Sequence, residues 1–178
     1  MTKVILVGYM GSGKSIIGQL LSEKTGILFL DLDQIIEDRE KSSIKKIFET
    51  KGEIYFRKIE HQIFEELVGS SQNFILSTGG GTPCYANSHK LLSDIGIFSI
   101  YLAASVDTLC SRLHSQREKR PLLINKSENE LKDFIAKHLF ERNYYYNQTN
   151  YIIDTNYKTP DAIVNEINVL LQKSIFKE

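Results

Sequence analysis

Gly8-Tyr9-Met10-Gly11-Ser12-Gly13-Lys14-Ser15 follows directly on the apolar run Lys3-Val4-Ile5-Leu6-Val7, and the reading of this chain turns on it. The eight residues fit the pattern GxxxxGK[ST]. Glycines let the backbone fold its N–H groups inward around a phosphate, because no Cβ blocks the left-handed turns. In such a loop the lysine, Lys14, places a point charge at the β and γ phosphates, and the hydroxyl of Ser15 is available to Mg²⁺. Ile16, Ile17, Leu20 and Leu21 then recur at helical spacing, so the loop opens a helix whose positive N-terminal end faces the anion. The apolar run before it reads as a strand buried on both faces of a parallel sheet. Strand, glycine loop and helix in this order predict a nucleoside triphosphate site.

Working outward, strand and helix patterns alternate. Ile27 to Leu30 reads as a second strand ending at Asp31, after a helix stop at Gly26. Ser42-Ser43 suits the cap of a short helix bearing Ile44, Ile47 and Phe48 and closed by Gly52. A longer helical stripe follows in Ile59, Ile63, Phe64, Leu67 and Val68, then a third strand over Phe74–Ser77 that breaks into Gly79-Gly80-Gly81. A fourth strand is expected over Ile97–Leu102, a helix over Val106–His114, another through Leu131, Phe134, Ile135, His138 and Leu139, and a fifth strand over Tyr151–Asp154. Thr159-Pro160 suits N-cap and N1 of a last helix with Ile163, Ile167, Leu170 and Leu171. Repeated strand–helix units imply right-handed crossovers and a three-layer α/β fold. Residues 115–126 are polar and basic, with Arg117, Lys119, Arg120 and Pro121, and little to bury. They are the expected lid of a small phosphotransferase, which must exclude water to avoid hydrolysing its nucleotide.

Composition narrows the classes. The 178 residues suit one domain, and 42% hydrophobic with 25% charged residues is ordinary for a globular chain. Lys and Arg balance Asp and Glu at 22 each, a net charge of zero that argues against a dedicated nucleic-acid binder. Cys84 and Cys110 show no metal spacing, and His61, His89, His114 and His138 are scattered. Four apolar residues between Lys3 and Gly8 are too few for a signal-peptide core, and no run is long enough to span a bilayer. The expectation is a cytoplasmic, monomeric domain with no membrane or nucleic-acid partner.

The acceptor of the phosphoryl group must be sought elsewhere in the chain. Asp31-Leu32-Asp33 follows the second strand. In an extended stretch both carboxylates project to one side, one for Mg²⁺ through water and one for an acceptor hydroxyl. Equally, one of them can cap the helix beginning near Gln34. Arg57, after Phe56, and Arg142, before Tyr144-Tyr145-Tyr146, suit a carboxylate-bearing acceptor, though arginines on polar helix faces are commonly just solvated. Three consecutive glycines after a strand imply that a ligand or another part of the chain approaches closely there. The carboxyl ends of parallel strands are where such sheets bind ligands.

Over nearly its whole length the chain resembles shikimate kinase, a P-loop kinase of the nucleoside-monophosphate-kinase type. The resemblance is carried by GYMGSGKS at 8–15, DLD at 31–33, FR at 56–57, STGGG at 77–81, RPLL at 120–123, the segment from Arg142 to Tyr146, and IDTNYKTP at 153–160. It implies a five-stranded parallel sheet, and transfer of the γ-phosphoryl group of ATP to the 3-hydroxyl of shikimate on the way to chorismate. It also implies roles. Gly11, Ser12, Gly13, Lys14, Ser15 and Ile16 would hold ATP, with Arg112 and Pro160 sandwiching the adenine and Lys158 at a further ATP position. Ser15 would ligate Mg²⁺ directly and Asp31 through water. Asp33 would contact the shikimate hydroxyls and accept the proton, Arg57 and Arg142 would clamp the carboxylate, and Gly79, Gly80 and Gly81 would line the pocket beside Phe48 and Phe56. Arg120 would be the lid arginine on the phosphates. Two departures stand out. Lys158 replaces a frequent arginine and loses its planar stacking, and Asn143-Tyr144-Tyr145 replaces a more usual Ala-Pro-Leu. Two alternatives stay open: another small-metabolite kinase, such as one for gluconate, and a nucleotide-dependent module without transfer. The combination of DLD, FR and GGG favours shikimate.

Overall fold

A computed structural model describes residues 2–114 and 127–175. In chain order the elements are β1 (Lys3–Val7), α1 (Lys14–Thr25), β2 (Phe29–Asp31), α2 (Leu32–Glu40), α3 (Ile44–Gly69), β3 (Phe74–Ser77), β4 (Ile97–Ala103), α4 (Val106–His114), α5 (Glu128–Tyr146), β5 (Tyr151–Asp154) and α6 (Pro160–Ile175). The strands form one parallel sheet in the order β2-β3-β1-β4-β5.

The two-residue period of β1 divides the interior. Val4 and Leu6 point into a core closed by Ile17 and Leu21 of α1 and by Ile163, Val164, Ile167 and Leu171 of α6. Ile5 and Val7 point into the opposite core, closed by α2, α3, α4 and α5. α1 lies close against the sheet because residue 18 is glycine: a Cβ there would fall 2.3 Å from the Phe29 ring. All five strands end toward the same side, so the loops after β1, β2 and β3 meet at one rim.

Several boundaries differ from the sequence reading. β2 begins at Phe29, since the chain is still turning at 26–28: the Gly26 amide caps α1 on Ser22 O, and Ser22 Oγ donates to Ile27 O. Gly52 closes the first helical stretch as the sequence predicts: at φ 81° and ψ 171° it leaves helical geometry and kinks α3, a second stretch starts at once, and Ser43 caps the first turn. Asp31-Leu32-Asp33 is not extended throughout, because α2 starts at Leu32 and places Asp33 in its first turn. β4 runs one residue further, to Ala103. The departure after Arg142 leaves α5 intact to Tyr146, with Asn147 as its C-cap. The lid segment 115–126, with Arg117, Lys119 and Arg120, lies outside the described residues.

Candidate active site

The glycine loop takes the cradle form its sequence requires. Gly11 and Gly13 stand at φ 81° and 103°, where a side chain would be strained, and Gly13 is the N-cap of α1. Lys14 is buried and donates to the carbonyls of Gly8 (2.7 Å) and Tyr9 (3.1 Å), which hold its ammonium inside the loop. The Ser12 hydroxyl is buried with no hydrogen-bond partner among the described residues. A polar atom left so at a helix N-terminus is what an anionic ligand satisfies.

Across the rim stands the end of β2. The Asp31 carboxylate serves two neighbours: Oδ2 accepts from Ser15 Oγ at 3.1 Å, and Oδ1 caps α2 on the Asp33 amide at 3.1 Å. The helix cap that the sequence offered to either aspartate falls to Asp31, the carboxylate that also accepts from Ser15. Ser77 Oγ lies 3.4 Å from Ser15 Oγ. This hydroxyl–carboxylate set fits Mg²⁺, which takes one or two protein oxygens and keeps its remaining positions for water and phosphate. Among the described residues no three His, Cys, Asp or Glu side chains gather into an all-protein metal cage.

Asp33 is the most perturbed acid of the site. Solvent reaches it through the cavity, yet protein surrounds it on most sides. This burial, with the charges of Asp31 and Glu60, pushes its pKa up to about 6 against the pull of Lys14. A carboxylate poised there can accept a proton near neutral pH.

The third part of the site is built around the glycine triplet. None of Gly79, Gly80 and Gly81 adopts a positive φ, so their role is steric. A Cβ on Gly79 would lie 2.9 Å from Glu60 Oε1 and 3.3 Å from Asp33 Oδ1, and one on Gly81 would lie 3.0 Å from Arg57 Nη1. Gly80 meets Met10 N of the phosphate loop at 3.4 Å and Arg142 Nη1 at 3.7 Å by the same measure. Its carbonyl accepts from Arg142 Nη1 and Tyr146 Oη. Arg57 donates to Glu60 Oε2 at 2.9 Å and to Glu53 Oε1 at 3.3 Å, with its guanidinium 4.1 Å over the Tyr85 ring. Arg142 lies over the Tyr9 ring at 5.6 Å. The Phe48 and Phe56 rings pack at a tilt, 4.6 Å apart, across the Gly52 kink. Two guanidinium groups thus flank a glycine wall that touches the phosphate loop.

At the other end, Arg112 donates to the carbonyls of Gly11, Ser12 and Thr155 and so joins the phosphate loop to the segment before α6. A cavity of about 590 Å³ runs from Arg112, Lys158, Pro160 and Ile163 past residues 10–17 to Asp31, Asp33 and residues 77–80. Ile16 lies on its wall. Lys158 borders it but is held by Glu166 at 2.6 Å. Arg57, Arg142 and Gly81 are not on this lining. The sequence reading missed Glu60 and Thr82. Glu60 is 2% exposed and bridges Arg57 to Thr82, whose hydroxyl donates to it at 2.7 Å. One signal was present: Glu60 falls inside the apolar stripe of Phe56, Ile63 and Phe64, where a charge must have a partner.

A family model described as shikimate kinase matches residues 10–172. A shikimate kinase of Flavobacterium johnsoniae is 55% identical over 94% of this chain and 97% of its own length. The crystal structure of shikimate kinase from Bacteroides thetaiotaomicron superposes with a TM-score of 0.88 at 31% identity, covering 96% of this chain and 98% of that one. The solved structure of Acinetobacter baumannii shikimate kinase in complex with shikimate gives 0.85 at 31% identity, over 98% of this chain and 94% of that one.

Proposed function

The chain belongs to the shikimate kinase family, and from that premise we propose how its own residues divide the work. The reaction is transfer of the γ-phosphoryl group of ATP to the 3-hydroxyl of shikimate, giving shikimate 3-phosphate and ADP. In our reading Gly11, Ser12, Gly13 and Lys14 hold the triphosphate through backbone N–H groups and the lysine charge. Arg112 and Pro160 border the base, with Ile16 and Lys158 beside them. Ser15 would be the direct protein ligand for Mg²⁺, with Asp31 supporting it through water, and its chemistry there would be to neutralise charge on the β and γ phosphates.

Arg57 and Arg142 bind the shikimate carboxylate, since planar guanidinium forks match carboxylates. Gly79, Gly80 and Gly81 leave the wall free of side chains, so the acceptor ring can lie against the backbone. Asp33 then takes the proton from the 3-hydroxyl as that oxygen attacks. Arg120 is assigned to the phosphates on the family pattern alone, and the same proposal covers a lid over 115–126. A single monomeric domain working in the cytoplasm, without nucleic-acid or membrane partners, completes it. The balanced charge supports the nucleic-acid part.

One observation carries the division of labour: Lys14, Asp33, Gly79 and Gly80 line one cavity, and the Gly80 carbonyl accepts from Arg142. Donor and acceptor sites therefore share a boundary. A coupled ADP-release assay with shikimate, with gluconate and with no acceptor tests the reading. ADP should appear with shikimate alone. Equal release with gluconate, or without acceptor, would sink it.

A further inference from the structure

Thr82 opens a single 3₁₀ turn, Thr82–Cys84, directly after the glycine wall. Its amide donates to Gly79 O at 3.2 Å and Pro83 follows, so the backbone sets where its side chain points. The hydroxyl is buried and donates to Glu60 Oε1 at 2.7 Å. The other oxygen of Glu60 accepts from Arg57 Nη1 at 2.9 Å. Arg57 has a second acidic partner, Glu53, at 3.3 Å, which is 55% exposed and faces outward from the same helix. The guanidinium is therefore shared between a buried carboxylate behind the glycine wall and an exposed one on the surface.

We propose that Thr82 is a positioning residue for the acceptor clamp: its hydroxyl fixes Glu60, and Glu60 holds Arg57 on the pocket side instead of releasing it to Glu53. A buried carboxylate stays ionised and oriented only while its oxygens have donors. Deprived of the Thr82 hydroxyl, Glu60 Oε1 has lost its close donor from the glycine loop, and Glu60 turns. Its hold on Arg57 weakens, and the surface carboxylate wins. Because Thr82 belongs to the loop after β3 and Arg57 to α3, this contact also sets the distance between the two walls of the acceptor site.

The proposal rests on the acceptor reading above, so wild-type turnover of shikimate is measured first. Absence of turnover would defeat that reading and not the role of Thr82. Given turnover, Thr82→Val keeps the shape and removes the donor, while Thr82→Ser keeps the donor. Thr82→Val should raise the shikimate KM about fivefold or more, with the ATP KM within about twofold of wild type and Thr82→Ser near wild type. Adding Glu53→Gln to Thr82→Val removes the competing surface charge and should recover most of the shikimate KM. A purely structural hydroxyl would lower thermal stability without this rescue. If Thr82→Val does not fold, Thr82→Ala against Thr82→Ser makes the same comparison. Unchanged shikimate KM in the donor-less variant, equal damage from Thr82→Ser, or no recovery with Glu53→Gln would each overturn the proposal.

Discussion

Ser15, in the first turn of α1, and Asp31, at the end of β2, are joined hydroxyl to carboxylate at 3.1 Å. The bond ties the phosphate loop to the start of α2, and thereby to Asp33, whose amide the same carboxylate caps. The group that would receive the proton is thus referenced to the group that would hold the metal. Both sides of the transfer are built on one rim of the sheet.

The pKa of Asp33, about 6, has two consequences. If Asp33 is the base, kcat/KM should fall below an apparent pKa near 6, and Asp33→Asn should lower kcat about a hundredfold with ATP still binding. Activity near wild type would leave Asp33 no part in proton transfer.

Stability gives an independent check on the same group. A carboxyl raised in the folded state favours folding at low pH, and that contribution is lost as pH rises from the unfolded value of 3.8 through about 6. Wild type therefore carries an ionised, unfavourably placed Asp33 at pH 7.5. Asp33→Asn should melt higher than wild type there, and the difference should shrink as pH approaches 4. A constant difference across that window would contradict the burial and charge account of the shift.

For the clamp, each charge-assisted bond to the acceptor carboxylate is worth roughly 1.5–3 kcal/mol when shielded from water. Arg57→Ala and Arg142→Ala should each raise the shikimate KM at least about tenfold and leave the ATP KM nearly unchanged. Steady-state kinetics with both substrates varied would show it. A matching loss toward ATP would move these arginines to the nucleotide side.

Gly79→Ala probes the wall itself. The added Cβ would meet Glu60 Oε1 at 2.9 Å and Thr82 Oγ1 at 3.0 Å, so one of these buried groups must shift. Overpacking of this kind costs about 1–3 kcal/mol. Falling on the clamp, it should cut kcat/KM for shikimate about tenfold or more, measured beside a melting curve showing a folded protein. Wild-type kinetics would mean that the triplet is not a close-approach surface.

Gly18→Ala is the matching test of the scaffold. Helix propensity favours alanine by about 1 kcal/mol, but its Cβ would stand 2.3 Å from the Phe29 ring. The clash should win, lowering stability by about 1–2 kcal/mol in urea denaturation. A stabilised variant would show that α1 can lift from the sheet at no cost.

The phosphate loop, β1, β3, α4 and β5 were legible because their signals lie within a few consecutive residues: glycine spacing, apolar runs and helical periodicity. Gly52 was legible as the end of a first helical stretch, because a glycine there breaks helical φ and ψ locally; that a second stretch resumes with no loop between them was not. Asp31 and Asp33 were recognised as a pair, but a strand period does not carry across the start of α2.

The sequence by itself determined a strand–loop–helix nucleotide site, an α/β fold on a parallel sheet, and the acidic, basic and glycine residues available to an acceptor. Tertiary structure alone decided that Glu60 is buried and that Thr82, 22 residues away, holds it against Arg57. It also decided that the glycine triplet is needed for space rather than for unusual φ. The reason is physical: periodicity and loop chemistry act between neighbours in sequence. The partner of a buried charge is chosen by whichever elements the sheet order brings together, and here β3 delivers Thr82 and the glycines beside α3.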